Sequence, residues 1–117
     1  KALKVLCVCS AGILRSPTLA HLLSSPPYNF NTRAVGADAE FALIPLDHGL
    51  LLWADEVCVM NSAQYWLVSG MIKQVYKDGD AIPIIHTLHI PDEYEYRSPE
   101  LVTQLKLAIK GIYGSAE

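Results

Sequence analysis

The chain has no apolar run of the roughly 20 residues that a membrane-crossing helix needs, so a helical span is excluded. It has no surplus of positive charge. Nine Lys and Arg stand against twelve Asp and Glu, a net charge of -3. Nucleic acid and anionic membranes usually require a basic face, so neither is expected as a partner. Cysteine is scarce: Cys7, Cys9 and Cys58. The number is odd, and Cys7 and Cys9 share one extended run. Residues two apart on a strand point the same way but lie too far apart for an unstrained disulfide. A disulfide framework is excluded, and free thiols suit a reducing, cytoplasmic setting. The cysteines and the four histidines lack metal-ligand spacing, so no metal and no other cofactor is expected. No signal peptide is expected before the first strand, and the sequence shows no repeat, low-complexity tract or linker. The first residue is Lys rather than Met, so it does not fix where the protein begins.

What is present suits one packed domain over residues 1–117. Hydrophobic residues make up 51% and charged residues 18%, which favours a core over disorder. Leu3 to Val8 is a short, nearly continuous apolar run of the kind found in buried parallel strands. Ser16-Pro17 reads as an N-cap followed by a first helical proline. Leu19, Ala20, Leu22 and Leu23 give that helix a buried face, and Ser24-Ser25-Pro26-Pro27 ends it. Asn31 to Gly36 is a second, less apolar strand expected at an edge. Pro45 starts a short helix to about Trp53, with Leu46, Leu50 and Trp53 on one side.

Asp55 to Met60 is a third, central strand. Asn61 caps a helix that runs to about Lys77, with Gln64 at the capping-box position. Leu67, Val68, Met71, Ile72 and Val75 fall inward at helical spacing. A turn over Lys77 to Asp80 leads to a fourth strand, Ile82 to Thr87, interrupted early by Pro83. A polar loop, Leu88 to Arg97, precedes a last helix that opens at Ser98-Pro99 and runs to about Tyr113. Its inward residues are Leu101, Leu105, Ile109 and Ile112. The alternation predicts an α/β fold with a parallel sheet covered on both faces. In such sheets ligands lie beyond the strand C-termini at the switch point. The loops after strands one and four can meet there.

The chemistry concentrates in Cys9-Ser10-Ala11-Gly12-Ile13-Leu14-Arg15-Ser16. A compact loop at a helix N-terminus turns successive backbone N–H groups toward a phosphate, and the helix dipole adds attraction. Small residues such as Ser10, Ala11 and Gly12 let the backbone approach closely, and Ile13 and Leu14 complete the cradle. Arg15 can fork two phosphate oxygens, which Lys could not match. Beneath them the same dipoles favour Cys9 as a thiolate. Ser16 can donate to the sulfur and stabilise it as a leaving group. Together these parts suit attack of sulfur on phosphorus and later hydrolysis of a cysteinyl-phosphate. Cys-x5-Arg alone would arise by chance in roughly one chain in seven of this cysteine content. The following Ser, the preceding strand and the capped helix make coincidence improbable. The competing reading makes Cys9 a small core hydrophobe and Arg15 a surface residue, although Arg is poorly placed at a helix N-terminus unless it binds an anion.

This arrangement resembles the low-molecular-weight protein tyrosine phosphatases, whose nucleophile loop also follows strand one. The closer likeness is to a compact bacterial and phage branch of predicted phosphatases. It rests on Cys9 to Thr18, on Trp53-Ala54-Asp55 to Met60, and on Ile90-Pro91-Asp92-Glu93-Tyr94-Glu95-Tyr96 to Pro99-Glu100-Leu101. The resemblance implies a three-layer α/β/α domain with a four-stranded parallel sheet in the order 2-1-3-4. It implies Asp92 as the general acid that protonates the leaving phenolate and then deprotonates water, while the residues alone also offer Glu93, Glu95 and Asp80 as carboxylates nearby. Tyr94 and Tyr96 are candidates to wall a slot for an aryl ring. The implied substrate is a phosphotyrosine protein or a small aryl phosphate, with phosphate-like anions as inhibitors.

Three departures stand out. Gly12 replaces the Asn common at the fourth loop position. Leu14 replaces a second Cys able to guard the nucleophile. Ser98 replaces an Asp frequent in the compact branch. Elsewhere Cys58 reads as core and Trp53 as packing. His21 and His48 read as solvated or packing residues. His86 and His89 lie nearer the proposed site, with His89 a candidate substrate contact. Arsenate reductase uses the same loop but needs further cysteines, and none follows Cys58. A phosphopeptide-binding pseudo-enzyme would keep the cradle without turnover. A sugar-transport phosphocarrier uses a loop cysteine but has no need of Arg15.

Overall fold

The computed structural model describes residues 3–9, 15–37, 46–77, 81–90 and 98–114. Strands β1 (Lys4–Cys9), β2 (Asn31–Gly36), β3 (Glu56–Val59) and β4 (Ile84–Thr87) alternate with helices α1 (Arg15–Ser24), α2 (His48–Trp53), α3 (Ser62–Val75) and α4 (Pro99–Tyr113). The sheet is parallel throughout, in the order β2-β1-β3-β4, as expected. The central strand β1 is buried along nearly its whole length, because its alternate residues meet different layers. Val5, Cys7 and Cys9 pack with Leu19 and Leu23 of α1 and Leu101, Leu105 and Ile109 of α4. Leu6 and Val8 pack with Leu51 of α2 and Val68 and Ile72 of α3. A strand covered on both faces needs apolar residues at both parities, which is why β1 reads as a continuous run. The result is the three-layer α/β/α arrangement.

Several boundaries differ from the sequence reading. The first strand extends through Cys9, whose carbonyl accepts the Ala37 N–H at 2.7 Å. Cys9 is therefore the last ladder residue of β1, paired with Gly36. α1 begins at Arg15, so Ser16 is not its N-cap but lies inside the first turn, where Pro17 is still tolerated. The second helix starts at His48 and is capped by Asp47, whose Oδ1 accepts the Leu50 N–H at 2.7 Å. Leu51 is its fully buried residue, while Leu46, Leu50 and Trp53 pack only partly. Pro45 and the turn at 78–80 lie outside the described residues. β4 begins only after Pro83, which cannot donate to a ladder.

The helix starts obey local chemistry. Asn61 Oδ1 accepts the Gln64 N–H at 3.0 Å, whereas Gln64 Oε1 reaches one residue further back than the usual box, to the Met60 N–H at 2.7 Å. Ser98 Oγ accepts the Leu101 N–H at 3.2 Å, so serine supports the helix start at this position. Gly114 at φ 85 ends α4, in a conformation that favours glycine. Leu67 is exposed rather than inward, because the buried stripe of α3 runs through Gln64, Val68 and Ile72. Among the described residues no helix is long and apolar enough to cross a membrane.

Candidate active site

The chain order reverses between β1 and β3, so the switch point lies at their C-terminal ends. Cys9 ends β1 at that point, and its side chain is 2% exposed. Burial alone does not separate a nucleophile from a core thiol; the neighbours do. Ser16 Oγ lies 3.2 Å from Cys9 Sγ, a short contact for sulfur. The same hydroxyl lies 3.3 Å from the Val35 carbonyl, which it can donate to. It has one proton for these two acceptors. With Cys9 as a thiol, the S–H can donate to Ser16 while Ser16 donates to Val35. With Cys9 as a thiolate, Ser16 must turn its proton to the sulfur. Placement inside the helix turn, rather than at the cap, is what leaves this hydroxyl available.

Arg15 is 2% exposed although it opens a helix. A buried guanidinium is costly unless its donors are met. Its Nη1 donates to the Ile90 carbonyl at 2.7 Å. Ile90 belongs to a tail that stays bonded to the end of β3 with its register slipped by one residue: the Leu88 N–H bonds to Val59 O and the Ile90 N–H to Met60 O, each at 2.9 Å. The expected polar loop from Leu88 is thus partly core, with Leu88 and Ile90 buried in the α1/α4 layer. Between them His89 is exposed and adopts φ 59, a left-handed conformation that is uncommon for a side-chain-bearing residue. The structure therefore brings Cys9, Arg15, Ser16 and the end of the β4 extension together. Ser10, Ala11, Gly12, Ile13 and Leu14, and likewise Asp92, Tyr94 and Tyr96, lie outside the described residues.

The remaining thiols are walled off. Cys7 and Cys58 are register partners on one sheet face and are buried, as is Cys9. Burial, helped by the neighbouring cysteines, pushes the Cys7 thiol well up. Burial likewise pushes Cys58 up to about 12. Cys58 is core, as its sequence context suggested.

His86 is not at the candidate site. Its Nε2 meets Glu56 Oε1 at 2.7 Å, and the same oxygen accepts the Tyr113 hydroxyl at 2.7 Å. Burial pushes that hydroxyl far up, reinforced by Cys58 and Glu56. The trio fastens the last turn of α4 to the start of β3, away from Cys9. His48 is held by Gln74 at 2.9 Å, and the Arg33 guanidinium lies 4.7 Å from the centre of the Trp53 ring, so Trp53 packs against a cation.

Neither the Ile90 carbonyl nor the Glu56–His86–Tyr113 trio was found from sequence. A backbone acceptor leaves no side-chain signature. The trio joins residues from three elements whose spacing carries no motif. Among the described residues no cluster of His, Cys, Asp and Glu could hold a metal ion. No protein-family model matches the chain, and neither does any curated protein sequence.

Proposed function

We propose that this protein is a cofactor-free phosphatase acting on phosphotyrosine, through a covalent intermediate on Cys9. The observation that carries the reading is the grouping of Cys9, Ser16 and buried Arg15 at the sheet's switch point. A phosphate seated beyond Cys9 would lie at the N-terminal end of α1, where backbone dipoles and the guanidinium favour an anion. Cys9 Sγ attacks phosphorus, the P–O bond to the phenol breaks, and Asp92 protonates the departing oxygen. Asp92, now a carboxylate, takes a proton from water; the water oxygen attacks phosphorus and the S–P bond breaks. The returning thiolate receives a hydrogen bond from Ser16. Ile90, two residues before Asp92 in the chain, is anchored to Arg15. Arsenate reduction is disfavoured because both other cysteines are buried in the core and held as thiols.

The test is hydrolysis of p-nitrophenyl phosphate and phenyl phosphate in EDTA. Wild type should turn both over. Asp92→Asn should slow phenyl phosphate by ~10²–10⁴-fold and the nitrophenyl ester less, because nitrophenolate leaves without much help. Phosphate binding without any turnover would replace the reading with a phosphopeptide-binding one.

Ser16→Ala gives a second expectation. A hydrogen bond to a charged group is worth about 1.5–3 kcal/mol, so kcat should fall by roughly 10–150-fold. KM should change little, and stopped-flow should show phosphoenzyme formation or breakdown slowed. An unchanged kcat would mean that the Ser16 hydroxyl serves only the Val35 carbonyl.

A further inference from the structure

A cavity of about 480 Å³ opens in the α1/α4 layer, away from Cys9. α1 starts beside Cys9 and carries the chain away over ten residues, roughly 15 Å. The cavity is lined by the last turn of α1, the turn that follows it, and the last two turns of α4. Part of its wall is apolar: Leu22, Tyr28, Ile109 and the Pro26-Pro27 pair. The polar donors facing it include His21, Lys106 and Lys110, and among the described residues no carboxylate lines it. This is a local inversion of charge in a chain whose net charge is -3.

Two of the polar neighbours are already used. The Tyr28 hydroxyl donates to the Gly114 carbonyl at 2.8 Å, and the Ser25 hydroxyl donates to the His21 carbonyl at 2.7 Å. Both brace the wall. Lys110 lies in the last turn of its helix, where a cation offsets the helix dipole. Lys106 does not: it lies nearly two turns before Tyr113, beyond the reach of that effect. Lys106 and Lys110 are four residues apart, so they stand on one helix face. Two flexible point charges beside an apolar floor recognise charge and size rather than a fixed fork geometry. The volume falls within the range of small-molecule pockets, about 300–1,000 Å³.

We propose that this cavity binds a small organic anion. Its carboxylate, sulfonate or phosphate head would sit between Lys106 and Lys110. An apolar body of one or two rings would lie on Leu22, Ile109 and the proline rim. The site is separate from the phosphate loop and does not depend on the phosphatase reading.

The test is a titration of the full chain with 8-anilinonaphthalene-1-sulfonate, followed by amide NMR shifts. A parallel titration uses uncharged N-phenyl-1-naphthylamine, and both are repeated in Lys106→Glu/Lys110→Glu. Shifts should centre on Leu22, Tyr28, Lys106 and Ile109. The sulfonate should bind at least tenfold more weakly to the double variant, whose exposed substitutions leave the amide spectrum folded. The neutral analogue should bind wild type and variant alike, and more weakly than the sulfonate binds wild type. Equal sulfonate affinity in the variant, or shifts centred elsewhere, would each overturn the proposal.

Discussion

Cys9→Ser should reduce hydrolysis of p-nitrophenyl phosphate by a factor on the order of 10⁴ or more, the scale of loss when a covalent nucleophile is removed. The substitution is nearly isosteric and sits at the end of β1, where the backbone is held by the ladder to Gly36 and the Ala37 N–H. The fold should therefore survive, and the variant should still bind phosphate. A chemical test runs beside the kinetic one. Iodoacetate is an anion, so the environment that favours phosphate should also draw it in. Wild type at neutral pH should gain one carboxymethyl group, on Cys9, and phosphate should slow the reaction. Cys7 and Cys58 should stay unmodified, because both are buried and their thiols are pushed up, Cys58 to about 12. Cys9→Ser should gain none. If Cys9 were an ordinary core thiol, labelling would need unfolding or strong alkali, and turnover would persist in the variant.

The frame of the molecule was legible because it rests on periodicity and punctuation. The apolar run ending in Cys9, the Asn61 cap and the Ser98-Pro99 opening each use local chemistry that a sequence displays. The strand order was expected from the resemblance, and the pairing bears it out. What was misread turned on tertiary competition. Ser16 looks like an N-cap, but the helix begins one residue earlier and its hydroxyl is taken by Cys9 and Val35. Leu67 fits the helical spacing, yet the stripe of α3 that meets the sheet passes beside it. Leu88 and Ile90 looked like the start of a polar loop because they alternate with His89. Both are buried, and the histidine between them is exposed in a left-handed conformation. At the candidate site the sequence pointed to Cys9, Arg15 and Ser16, which the fold does assemble, but it offered no hint of the partner that holds Arg15.

That partner sets up the second large effect. Arg15→Lys keeps the charge and can keep a hydrogen bond to the Ile90 carbonyl, but it cannot also fork two phosphate oxygens. Inhibition by inorganic phosphate should weaken by about 100-fold, corresponding to the loss of one or two charge-assisted hydrogen bonds. kcat/KM should fall further, on the order of 10³-fold, because charge on the phosphoryl oxygens must be stabilised in the transition state as well. Thermal stability should change little. Arg15→Met separates the two jobs of the side chain. It fills the buried volume with apolar atoms but leaves the Ile90 carbonyl without this donor, at a cost of about 1–3 kcal/mol, and Tm should drop accordingly. Phosphate affinity should fall at least as far as in Arg15→Lys. The contrast is decisive because the two readings of Arg15 predict opposite splits. An arginine that only ties α1 to the β4 extension would lose stability in Arg15→Met and nothing in Arg15→Lys. An arginine that also binds the substrate anion loses phosphate affinity in both variants, whatever happens to Tm.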